Sequence, residues 1–212
     1  MHEALTLAAL IAALSIGVVS PGPSFIMIAR MAVATSRAEG VAAALGMGVG
    51  GALFGALALA GLHALFTAVP TLFVGLKVAG GLYLCWLGVR IFMAAREPLD
   101  FTPGEGQVRP KRLRAFALGF TTQVSNPKTA VVYASVFAAL LPATFSLGFA
   151  TAVVACAFAV ETAWYALVAL ALSAESPRRA YLGCKVWVDR AAGAVMGGLG
   201  VRLVVQGERL QG

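Results

Sequence analysis

Long apolar stretches separated by short basic ones set the pattern of this chain. Ala4 to Ala29 holds no charged residue, and neither does Gly40 to Leu76. Ala115 to Leu141 holds one, Lys128, and Leu147 to Leu172 also one, Glu161. A last stretch, roughly Val186 to Val205, is interrupted by Asp189, Arg190 and Arg202. A helix rises about 1.5 Å per residue, so about 20 apolar residues cross a hydrocarbon core of about 30 Å. Gly40 to Leu76 is long enough for one helix, a turn at His63 to Pro70, and the start of another that runs towards Arg90. The pattern therefore predicts an all-α polytopic membrane protein with six transmembrane helices.

Composition and charge sharpen this. Of 212 residues 60% are hydrophobic and only 12% charged, too little polar surface to cover a water-soluble domain. Met1 to Glu3 brings no Lys or Arg ahead of the first apolar run, so that run is expected to stay as a span and not to be cleaved as a secretory signal. The net charge of +7 lies mainly in loops, which makes it a topology signal and no pointer to nucleic acid. With six spans, the loops after the first, third and fifth helices carry 12 positive residues, against only Arg202 and Arg209 on the other side. That asymmetry puts the basic loops in the cytoplasm and both termini outside. Cys85, Cys156 and Cys184 are odd in number and far apart, so neither a disulfide framework nor a Cys-x-x-Cys site follows.

The two halves resemble each other. Val19-Ser20-Pro21-Gly22-Pro23 is answered by Val124-Ser125-Asn126-Pro127-Lys128, Leu87-Gly88-Val89-Arg90 by Leu199-Gly200-Val201-Arg202, and Lys77-Val78-Ala79-Gly80 by Arg190-Ala191-Ala192-Gly193. One duplication of three helices accounts for all three pairs, and because three is odd the copies must be inverted. The expected organisation is a first three-helix repeat over 1–105 and an inverted second over 106–212, forming one membrane domain. Inverted repeats with broken helices at matching positions are how many secondary transporters build a site at the membrane midplane.

Pro21 and Pro23 have no amide hydrogen, so the first span loses backbone bonds around Gly22 and frees carbonyls that lipid cannot satisfy. Asn126-Pro127 does the same in the fourth span. Ser20, Ser24, Gln123 and Ser125 supply polar groups beside the two breaks. Lys128 and Glu161 are the charges deep in spans, where an Asp, Lys or Arg costs about 2.5 to 3.5 kcal/mol on insertion scales. Something must offset that cost, and an ion pair between them is one candidate. Lys77 suits snorkelling to the interface; Arg30 fits either that or the path itself. Gly40, Gly46, Gly48, Gly50, Gly51 and Gly55 give the second span a small-residue face for close packing. The aromatic residues Trp86, Trp164, Tyr83, Tyr133 and Tyr165 read as packing or interface anchors, and His2 and His63 suggest neither metal nor proton relay.

Ser20-Pro21-Gly22-Pro23 followed by Arg30, then Arg37-x-x-Gly40, Gly46-x-x-x-Gly50 and Ser125-Asn126-Pro127-Lys128, together resemble the LysE/RhtB family of amino-acid exporters. The likeness covers nearly the whole chain, its length and its basic central loop. It implies proton-linked export of an amino acid across the bacterial inner membrane, with no cofactor and no enzymatic activity. The path would be lined by Ser20, Pro21, Gly22, Pro23, Ser24, Arg30, Gln123, Ser125, Asn126, Pro127 and Lys128. Glu161 would carry the coupling proton, with Lys128 tuning its affinity. The family often has an acid just after Gly50, where this chain has Gly51. A homodimer is compatible with the chain.

Two other classes fit the same sequence less well. A membrane thiol oxidoreductase needs intramembrane cysteines at matched repeat positions, and Cys85 and Cys156 do not match. A divalent metal-ion exporter of the same superfamily needs clustered His, Asp, Glu or Cys ligands, of which Glu161 is one.

Overall fold

The computed structural model describes residues 2–20, 22–68, 70–98, 111–142 and 144–208, and among these it is entirely helical with no strand. Eight helices follow in order: α1 His2–Val19, α2 Pro23–Ala34, α3 Arg37–Ala68, α4 Pro70–Ala94, α5 Arg112–Val124, α6 Pro127–Leu140, α7 Leu147–Leu172 and α8 Glu175–Glu208. By length and composition α3, over Arg37–Gly61, and α7 are able to cross a membrane alone. The pair α1 and α2 passes the same test together, with a bend of 59° between its halves.

Proline explains both internal breaks. Pro23 and Pro127 each stand in the first turn of the following half-helix, where the missing N–H costs nothing and the fixed φ is already helical. Gly22 precedes α2 in an extended conformation. Asn126 is extended in the same way and caps α6, its Oδ1 accepting from the Lys128 amide at 3.0 Å. The first predicted span is thus two rods meeting at an angle, and the fourth repeats the device.

Two expectations need correction. The turn placed at His63 to Pro70 is helical in α3 as far as Ala68, and α4 opens at Pro70. Ala64 to Ala68 is made of residues that continue a helix in an apolar setting, and Val69 lies outside the described residues. The last helix is far longer than Val186 to Val205: the 34 residues of α8 extend about 50 Å at about 1.5 Å each, beyond a core of about 30 Å. Asp189 and Arg190 do not interrupt it, because the Asp189 charge is paired inside the protein.

The helices pack through glycine. A Cβ on Gly46 of α3 would lie 2.1 Å from the Phe116 carbonyl of α5, and one on Gly119 would lie 2.1 Å from the Ala43 carbonyl. These backbones touch, as the small-residue face of α3 leads one to expect. Between α4 and α8 the contacts are reciprocal: Gly88 against Gly193, and Gly81 against Gly200. The buried apolar residues form two clusters. One gathers Leu10, Leu84, Val136, Phe137, Phe149 and Met196; the other gathers Phe25, Ile28, Met47, Tyr165 and Val168. Polar residues of the two breaks lie where these clusters meet.

Candidate functional site

The break between α1 and α2 exposes backbone groups, and the α5–α6 break supplies their partners. Lys128 Nζ donates to the Ser20 carbonyl at 2.6 Å, an acceptor that an unbroken helix would have used itself. Ser24 Oγ donates to Gln123 Oε1 at 2.7 Å, and Asn126 Nδ2 donates to Ser24 Oγ at 2.9 Å. Ser24, Gln123 and Asn126 are all buried, so this three-residue network ties the start of α2 to the end of α5 and the cap of α6. Paired polar groups at such a depth are costly to leave unmade.

Next to the network is a cavity of about 20 Å³, room for about one water molecule. Ser20, Gly22, Ser24, Asn126, Lys128 and Glu161 line it together with Tyr133, Tyr165 and apolar residues that include Leu14, Val18 and Val132. Glu161 is only 1% exposed. Its Oε1 accepts from the Tyr133 hydroxyl at 3.1 Å, while Oε2 has no hydrogen-bond partner. Ser20 Oγ and Gln123 Nε2 are likewise buried and unpartnered. Glycine makes the room. A Cβ on Gly51 would sit 2.6 Å from Glu161 Cγ and 3.0 Å from the Tyr133 hydroxyl, and one on Gly50 would sit 2.8 Å from Gln123.

Lys128 and Glu161 therefore share a cavity without forming a direct ion pair among the described residues: the ammonium is held by a carbonyl, the carboxylate by a phenol. Of the other residues singled out in the sequence, Pro23, Ser125 and Pro127 are exposed and shape the breaks from outside. Arg30 lies on an exposed side of α2, away from the cavity lining. Pro21 lies outside the described residues.

The structure adds residues that the sequence reading had not placed here. Tyr133 packs its ring against Phe54 and Phe137 and also spends its hydroxyl on Glu161. Tyr165 joins it in the lining, so both tyrosines are more than anchors. A second buried charge group stands on α8: Lys185 Nζ donates to Asp189 Oδ2 at 2.7 Å and to the Ala95 carbonyl at 3.0 Å. Its signal was present in the i,i+4 spacing of Lys185 and Asp189. Among the described residues no group of three or more His, Cys, Asp or Glu side chains comes together in a way that could hold a metal ion.

Comparison with known proteins bears on the same region. The family model of the LysE type translocator matches residues 15–207, a span that includes both breaks, Lys128 and Glu161. The threonine efflux protein of Salmonella typhi is 30% identical over 191 residues, covering 90% of this chain and 93% of the relative. The threonine efflux protein of Escherichia coli K12 matches to the same extent. The leucine efflux protein of Klebsiella pneumoniae is 31% identical over 120 residues, 55% of this chain and 54% of that protein. No solved structure matches. With most of its length matched in this way, the chain is a bacterial membrane protein and belongs to the LysE type translocator family.

Proposed function

We propose that this chain is a secondary transporter that exports an amino acid across the bacterial inner membrane by proton antiport. The observation that carries this reading is the cavity at the meeting point of two broken helices, with Lys128 and Glu161 both in its lining. Broken helices present uncapped amides and carbonyls to a solute at the midplane, and an intramembrane acid is the usual carrier of a coupling proton. The efflux activity named for the relatives supports the direction.

In this reading six spans form two inverted repeats, 1–105 and 106–212, with α1–α2 and α5–α6 as the broken first and fourth spans. A shift of 112 positions, the offset between Leu87 and Leu199, carries Gly81 onto Gly193 and Gly88 onto Gly200. The contacts Gly81 to Gly200 and Gly88 to Gly193 exchange under that shift, as contacts do across a two-fold axis, which supports the inverted repeat. Both termini face outward, following the loop charges.

The cavity holds too little space for an amino acid, so the described state is a closed one. Opening towards the cytoplasm admits substrate, whose carboxylate approaches Lys128; opening outward releases it and lets a proton reach Glu161. The test is a growth screen against toxic amino-acid analogues with and without expression, followed by efflux of the labelled hit. Protection from at least one analogue, with faster efflux of the parent amino acid, is expected. A flat response to every analogue with altered tolerance of divalent metals would replace this reading with the metal-ion exporter.

A further inference from the structure

The two ends of the cavity ask for opposite charges. At one end are the Lys128 ammonium, the buried and unpartnered Ser20 hydroxyl, 2% exposed, and the start of α2, whose Gly22 cap offers no side chain to the first amides. A helix start without a side-chain cap, where Pro23 itself has no N–H and the amides of Ser24 and Phe25 follow, suits an anion when a cation stands beside it. At the other end is Glu161 Oε2, buried with no donor, on a carboxylate already fixed by the Tyr133 hydroxyl and packed against the bare backbone of Gly51. A carboxylate oxygen in that position is costly until a donor reaches it. The Gln123 amide also faces this carboxylate with its own Nε2 unpartnered, but an amide cancels no charge; the donors that do are a proton and the ammonium of an amino acid.

We infer that Glu161 Oε2 is the ligand of the substrate's α-ammonium, so that substrate and coupling proton occupy the same oxygen in turn. This rests on the exporter reading above. An arriving amino acid places its carboxylate between Lys128 and the α2 amides and its ammonium on Oε2, for which Glu161 must be ionised and its proton released to the cytoplasm. After the substrate leaves outward, a proton from outside takes Oε2 and restores the neutral acid. The Lys128 ammonium rests on the Ser20 carbonyl in the half without substrate and meets the substrate carboxylate in the other, and one proton moves in for each amino acid out. The substrate class follows: a zwitterion with a neutral side chain, since the rest of the lining contributes apolar residues such as Leu14, Val18 and Val132 and no second acid.

The groups that face Glu161 are few. Lys128 and Tyr133 come from α6, Tyr165 from α7 itself and Gln123 from α5, while α3 presents Gly51. Asp189 of α8, paired with Lys185, is within electrostatic reach of Lys128.

The test is binding to the purified protein in detergent between about pH 5.5 and 8, with L-threonine and L-leucine as probes and 2-hydroxy-4-methylpentanoate as leucine without its ammonium. Competition for one oxygen predicts that amino-acid Kd rises about tenfold for each pH unit once Glu161 is protonated. The hydroxy acid, whose uncharged hydroxyl can donate to the carboxylate or accept from the protonated acid, should not weaken at low pH. L-lysine should bind at least tenfold more weakly than L-leucine. In Glu161→Gln the amino acids should bind more weakly and with no pH dependence, while the hydroxy acid keeps its wild-type affinity. Amino-acid binding by the wild type that is tight but indifferent to pH, or that the hydroxy acid reproduces at every pH, overturns the ammonium assignment alone. No binding of either amino acid at any pH overturns the exporter reading and the assignment with it. The wild-type arms decide the matter even where the variant does not fold.

Discussion

Two pairs of oppositely charged residue types stand inside this molecule, with only Lys128 part-buried, and they are arranged differently. Lys185 and Asp189 stand one turn apart on α8 and bond to each other directly, with the Ala95 carbonyl just beyond the end of α4 accepting a further hydrogen bond from the ammonium. Lys128 and Glu161 come from different helices, face one cavity and each bonds to something neutral. The first arrangement neutralises its charges within the fold and holds the first half of α8 against the end of α4. The second sets a cation and an acid beside a space with no bond between them. Burying a charge is favourable only when it is paired and hydrogen-bonded, so a pair kept apart is a cost that the fold bears for some other purpose. In an exporter, the purpose is a solute that carries both complementary charges.

The comparison breaks first at the α8 pair. Asp189→Asn strands the Lys185 ammonium and is expected to destabilise the fold by about 3 to 5 kcal/mol, read as loss of folded protein in a thermal or detergent-challenge assay. Glu161→Gln, with no ion pair to strand, should shift the same assay far less. A similar cost for both variants would mean that the two pairs do not differ in kind. Next in size is Gly46→Ala, which drives a methyl group into the Phe116 carbonyl and should cost about 1 to 3 kcal/mol as overpacking, measured in the same way. Asn126→Ala removes the cap of α6 and the donor to Ser24, for about 1 kcal/mol of stability. Its efflux should fall further than that loss of stability explains, because the polar network beside the cavity goes with the cap. Smallest is the joint change Lys185→Met with Asp189→Leu. Replacing a buried pair by apolar residues is often close to neutral, so stability near the wild type is expected, with efflux retained. Lost efflux in a stable double variant would move the α8 pair into the transport machinery.

The breaks were legible because proline acts locally. Pro23 and Pro127 stop a helix whatever surrounds them, and the polar residues clustered at both places marked them as a meeting point. The structure puts Ser20, Gly22, Ser24, Asn126 and Lys128 around one cavity. The extent of α3 was less legible, since nothing in Ala64 to Ala68 shows by itself that a helix continues to the proline. An ion pair of Lys128 with Glu161 was a natural expectation from composition. It missed that a broken helix frees a carbonyl close enough to compete for the ammonium, which only the packing of α1 against α6 reveals. Tyr133 was read as an anchor because an aromatic ring in a span usually is one; where its hydroxyl points depends on Gly51, on another helix. The packing partner of a small residue is a three-dimensional fact, so that Gly51 makes room for Glu161 could not be read along the chain.

The account turns on Glu161 as the coupling group. The direct measurement is uphill efflux from vesicles under an imposed pH gradient, with substrate exchange at saturating concentration and no gradient as the control. In the wild type the gradient should drive accumulation against the substrate's own concentration difference. In Glu161→Gln, which cannot exchange a proton, gradient-driven movement should vanish while exchange continues. A Glu161→Gln protein that still follows the gradient as the wild type does would contradict the account.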